Sequence, residues 1–187
     1  MNRNALVISL TVLLASAASG PAAQASQTAA KVARGKYIVT TSGCNDCHTP
    51  WVVGEKGPEP DMKRMLSGHP EGDRLPPPPK AAGPWIMTAA ATNTAWSGPW
   101  GISYTANLTP DPETGLGKWT EKNFVDTIRT GRHMGRGRAI LPPMPIPMYK
   151  QFTDADLSAI FAYLQSIPAV KNHVPEPTPP AENVATK

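Results

Sequence analysis

Both cysteines of the 187-residue chain lie in one pentapeptide, Cys44-Asn45-Asp46-Cys47-His48. Two thiols three positions apart, followed at once by an imidazole, form the C-x-x-C-H pattern through which a c-type haem is attached. The chemistry explains the spacing. The thiols add across the two vinyl groups of one porphyrin, and the two-residue gap on a turn of helix sets their separation. His48 then lies under the iron as proximal ligand, through a neutral imidazole nitrogen. Three rival readings are weaker. A thioredoxin-like pair needs a βαβ context, which is missing. A zinc site needs a second ligand pair, and the chain has neither another Cys pair nor H-x₃₋₅-H. A structural disulfide gives the adjacent histidine no role.

A single histidine leaves the sixth iron position to be filled, and the residue that fills it decides the chemistry. Candidates are Met62, Met65, Met87, Met134, Met144 and Met148, with His69, His133 and His173. Met144 is preferred. It sits within Leu141-Pro142-Pro143-Met144-Pro145-Ile146-Pro147, where the flanking prolines preset a stiff extended strap that can hold a thioether at low entropic cost. Met148 follows, with Met134, His133 or a vacant site as the remaining options. Histidine with methionine raises the reduction potential and fills the position that peroxide or a gas would need. The expected role is one-electron transfer, with the chain itself not an enzyme. The alternative is a haem sensor or peroxidase-like enzyme with an open distal site.

These groups must be positioned by a chain that is poor in regular structure. It carries 22 prolines, is 17% charged, and has a net charge of +4, too small a balance to argue for nucleic acid. A modest positive face toward an acidic redox partner fits it better. Residues 1–25 read as an export signal: Arg3, an apolar run from Ala5 to Ala18, and a small-residue cleavage site at Ala23-Gln24-Ala25. An uncleaved anchor is the alternative. Residues 26–168 read as one domain and 169–187 as a disordered Pro-rich tail. The first helix is expected over Thr28–Thr41, with Ala29, Ala30, Val32, Ala33, Tyr37 and Ile38 as its apolar face and Gly35 as a close helix crossing. Residues 49–106, broken by Gly57-Pro58, Gly68-His69-Pro70 and Pro76 to Pro79, read as irregular loop packed by tryptophans. Thr120 caps a helix to Thr130 that buries Phe124, Val125 and Ile128. Thr153 opens the last helix, with Leu157, Ile160, Phe161 and Leu164 inward and Pro168 as its stop.

With these elements in order, the chain resembles a class I monohaem cytochrome c. Within that group, Asn107-Leu108-Thr109-Pro110-Asp111, Thr114-Gly115-Leu116-Gly117, Trp119-Thr120, Arg129-Thr130-Gly131 and Pro143-Met144-Pro145 resemble cytochrome c subunits of bacterial periplasmic dehydrogenases. The resemblance implies a mainly α fold of three to four helices around one covalently bound haem c, with long irregular Pro/Trp-rich loops. It implies redox partners: a periplasmic dehydrogenase, another cytochrome or a terminal oxidase. It also implies that Gly35 crosses the last helix near Phe161 or Tyr163. By the same resemblance, the Pro58 carbonyl accepts the ring N–H of His48, and Trp119 donates to a haem propionate, with Tyr104 and Asn107 as weaker propionate partners. Each has a plainer reading: Pro58 as loop punctuation, Trp119 as core, and Tyr104 and Asn107 as packing and turn residues. Those dehydrogenase subunits often carry several haem motifs, whereas this chain has one.

Overall fold

The computed structural model describes residues 20–79 and 83–180. Most of the expected export signal, residues 1–19, lies outside the described residues, as does the end of the tail from 181. The described residues form five α-helices and five short strands: α1 (Pro21–Thr41), α2 (Cys44–His48), β1 (Trp51–Gly54), β2 (Gly57–Pro60), β3 (Thr88–Ala89), β4 (Ala95–Gly98), β5 (Gly101–Tyr104), α3 (Glu121–Thr130), α4 (Ile146–Tyr149) and α5 (Asp154–Leu164). None of these helices is long and apolar enough to cross a membrane.

The helical part is built on the crossing of α1 and α5. Gly35, near the C-terminal third of α1, lies flat on α5. A Cβ there would run into the Ala159 carbonyl and sit 2.8 Å from Tyr163 Cβ, so only hydrogen fits. The expected crossing is present, with Ala159 and Tyr163 as the residues that meet the glycine. α1 begins earlier than expected, because Pro21 presets the first helical turn and an Ala-rich stretch follows it. Its inner stripe is Gly35, Ile38 and Val39; Tyr37, expected on that face, points outward at 60% exposure, where the Arg34 guanidinium lies 5.6 Å from its ring centroid. In α5 the expected stripe Leu157, Ile160, Phe161 and Leu164 is buried throughout. Thr153 caps α5 by accepting from Asp156 N–H at 3.1 Å, and Thr120 caps α3 in a reciprocal box with Asn123. Phe124 and Ile128 of α3 join the same core.

The segment expected to be irregular contains all five strands. β1 and β2 form an antiparallel hairpin, with Trp51 opposite Pro60 and Gly54 opposite Gly57. A second sheet has the order β3-β4-β5, and only Pro99 and Trp100 connect β4 to β5. Of the prolines that argued against strands only Pro58 falls in one; with Pro60 it sits in β2, a strand of a two-stranded hairpin, where a missing N–H costs little. The tail is the second departure. Residues 169–180, expected to be disordered, run back along the body: Thr178 exchanges two backbone bonds with Ile102 of β5 (2.8 and 3.0 Å), and Asn172 is bonded through side chain and main chain. Its composition has few apolar groups, but the Asn172 side chain finds two fixed carbonyls, and Lys171 and Glu176 pair with Glu113 and Arg138.

Candidate haem site

α1 ends when Ser42 N–H closes on the Ile38 carbonyl and Gly43 turns the chain at φ 71°. The five residues Cys44–His48 then form one helical turn. It is fastened from outside: Trp51 Nε1 and Asn93 Nδ2 both donate to the Asp46 carbonyl, at 3.0 and 2.7 Å. Thr49 Oγ1 donates to Asn45 Oδ1 and accepts from Leu66 N–H, tying this turn to the following loop. Cys44, Cys47 and His48 all line one cavity of about 360 Å³.

His48 is held by a carbonyl that the sequence reading did not identify. Its Nδ1 lies 2.8 Å from the Ala106 oxygen. A carbonyl can only accept, so Nδ1 carries the proton and Nε2 keeps its lone pair for a metal. Pro58, expected to supply this carbonyl, is exposed in β2. Gly68 makes the seat possible. At φ 79° its N–H donates to the His48 carbonyl at 2.8 Å, and a Cβ there would meet the Ala106 oxygen at 2.7 Å. A side chain at position 68 would therefore disturb the carbonyl that orients the ring.

The cavity gathers most of the expected residues. Met144 lines it and is the only methionine to do so among the described residues; Met148 and Met62 are each 58% exposed elsewhere. Trp119 lines it too, with its ring edge-on to His133 at 5.1 Å between centroids, and so does Tyr104, whose ring lies 4.9 Å from His69. The apolar wall includes Ile38, Val39, Leu116, Phe124, Ile128 and Ile160. Asn107 is a correction. It borders the cavity, but its Nδ2 donates to Thr114 Oγ1 and the Val170 carbonyl while its Oδ1 accepts from Thr109 N–H and Oγ1. Its amide knits loops together and has no donor to spare for a propionate. His69 does not line the cavity; it is fully buried against Thr94 Oγ1 at 2.9 Å.

Sequence reasoning missed Asn172. Its Nδ2 donates to the Ser67 and His69 carbonyls (2.7 and 2.9 Å), its Oδ1 accepts from Glu71 N–H (2.8 Å), and its own N–H donates to Thr114 Oγ1 (3.0 Å). This starts a strap in which His173 to Pro177 line the cavity and Glu176 pairs with Arg138 at 3.1 Å. The only sequence signal was an asparagine in a Pro-rich tail, which composition reads as solvated.

Burial pushes the Cys44 thiol up to about 11, and burial with the nearby Asp46 raises Cys47. Burial also lowers His48 below the usual imidazole value, despite its bond to Ala106. Burial thus favours the neutral form of both thiols and of His48, and a neutral imidazole is the form that ligation requires. Two thiols and an oriented imidazole on one turn, a thioether lining the same cavity and apolar side chains around them match the donor set of a covalently held haem c.

No protein-family model matches the chain. It is 30% identical over 155 residues to one subunit of the nicotinate dehydrogenase of Pseudomonas putida, an alignment that covers 83% of this chain and 10% of that protein. It is 29% identical over 134 residues to the cytochrome c subunit of alcohol dehydrogenase (quinone) of Gluconobacter oxydans, covering 72% of this chain and 21% of the relative. The gluconate 2-dehydrogenase cytochrome c subunit of Pantoea cypripedii is 28% identical over 134 residues, with 72% and 22% covered. The chain spans between about a tenth and about a fifth of the length of these relatives. What it resembles, over most of its own length and at moderate identity, is subunits of bacterial dehydrogenases, two of the three being cytochrome c subunits.

Proposed function

We propose that this chain is an exported, periplasmic one-electron carrier that holds a single haem c and passes electrons from a dehydrogenase toward the respiratory chain. The observation that carries this is the cavity where Cys44, Cys47 and His48 of α2 meet Met144. Cys44 and Cys47 would hold the group covalently, and His48 Nε2 and Met144 Sδ would supply the side-chain donors to its iron. When bound, the haem supplies reversible one-electron chemistry at iron. The Ala106 carbonyl orients the His48 ring and increases its basicity, the apolar wall excludes water, and Met144 would keep other molecules from the iron. Trp119 and Tyr104 supply polar handles in that wall. The names of the relatives support a dehydrogenase as partner, and the leader-like first 25 residues support export.

The test uses the protein purified from an exporting host. One haem should stay on the chain after denaturation and be lost in Cys44→Ala/Cys47→Ala. The ferric far-red sulfur-to-iron band should disappear in Met144→Ala, whose ferrous form gains carbon monoxide binding. Ready carbon monoxide binding by the unaltered ferrous protein would overturn the carrier reading in favour of an open distal site.

A further inference from the structure

The segment that presents Met144 has an anchoring problem. Pro142, Pro143, Pro145 and Pro147 have no N–H, so much of this stretch cannot be fixed through its own backbone donors. It must be held by its carbonyls or by its ends. The structure does both. Tyr149 Oη donates to the Ser42 carbonyl at 2.7 Å, fastening the downstream end beside the Cys44 turn. At the upstream end, Ser103 Oγ donates to the Pro142 carbonyl at 2.6 Å.

Ser103 is well placed for this. It is buried on β5, opposite Trp96 of β4 in the sheet register, and its neighbour Ile102 exchanges two bonds with Thr178 of the tail. The hydroxyl therefore projects from a strand fixed on both sides. Resting on the reading of Met144 as ligand, we infer that Ser103 is a positioning residue for that ligand. The second sheet lies outside the helical core, yet it carries the hydroxyl that pins the methionine segment.

The test compares Ser103→Thr with Ser103→Val, which differ only by hydroxyl against methyl, and adds Ser103→Ala, all as holoprotein. In Ser103→Val and Ser103→Ala, the sulfur-to-iron band should be lost at lower guanidinium than far-UV circular dichroism. Ferrous carbon monoxide binding should become about tenfold faster, the ratio one hydrogen bond supports. Ser103→Thr should restore both. If band and dichroism move together in every variant, or if Thr and Val behave alike, Ser103 is merely structural and the inference is overturned. Met144→Ala is run beside them. A band that survives it overturns the ligand assignment itself, a different failure from a band that Met144 controls and Ser103 does not.

Discussion

At the crossing of α1 and α5 the buried side chains include Ile38, Val39, Leu157, Ala159, Ile160, Tyr163 and Leu164; between residues 49 and 109 they include Thr49, Ser67, His69, Thr94, Asn107 and Thr109. The helical region is held by apolar area around a glycine contact that admits no methyl group. The other region has too many prolines and glycines for long helices, so beside its short strand ladders several backbone groups are satisfied one at a time by short polar side chains. Thr49 serves Leu66 N–H, Asn107 serves Thr109 N–H, and Asn172 serves three backbone groups at once. The polar region also carries the groups that orient the site: Ala106 for His48 and Ser103 for the segment before Met144. The apolar region supplies stability and a wall, and the polar region supplies aim.

The contrast can be broken most strongly from the apolar side. Leu157→Ala, at 1% exposure in α5, should cost about 2–5 kcal/mol by guanidinium unfolding of the holoprotein. The loss should be similar across the neutral and mildly acidic pH range, since no charge is involved. A cost below about 1 kcal/mol would mean that the crossing is not the principal core.

Asn172→Ala attacks the polar side and should cost less, about 1–3 kcal/mol, by leaving part-buried backbone groups without partners. Its signature is local. Residues 169–180 should become susceptible to limited proteolysis under conditions in which α5 stays protected. Simultaneous loss of both would show that the two regions unfold as one unit.

The smallest effect sharpens the comparison through pH. The Thr114 hydroxyl, followed by the Thr114 and Glu113 N–H groups, holds the Asp111 carboxyl below the usual range. Its folded-state value is below its unfolded one, so its contribution is complete above about pH 4 and is lost as pH falls through the lower folded value. Asp111→Asn should therefore flatten the acid limb of the stability-versus-pH curve below about pH 4. An unchanged acid limb would remove Asp111 from the polar network.

Much of the helical region was legible in the sequence because its signals are local. Thr120 and Thr153 announce their helices, the α5 stripe follows the helical period, and Gly35 in mid-helix points to a close crossing. Tyr37 was misplaced because α1 is only partly covered, and an apolar residue on a half-exposed helix has two admissible faces. The strands were missed because each has four residues or fewer, too short for alternation to stand out among prolines.

The sequence by itself determined which donors stand together. Cys44, Cys47 and His48 are bound together by covalent spacing on a single turn, and the prolines around Met144 stiffen that segment whatever surrounds it. The tertiary structure decided how the site is aimed. The acceptor for His48 is the carbonyl of Ala106, the anchor for the methionine segment is the carbonyl of Pro142, and Asn172 grips the carbonyls of Ser67 and His69. Every residue has a carbonyl, so residue identity carries no mark of which one will be used. Only the path of the folded chain brings one particular oxygen within reach.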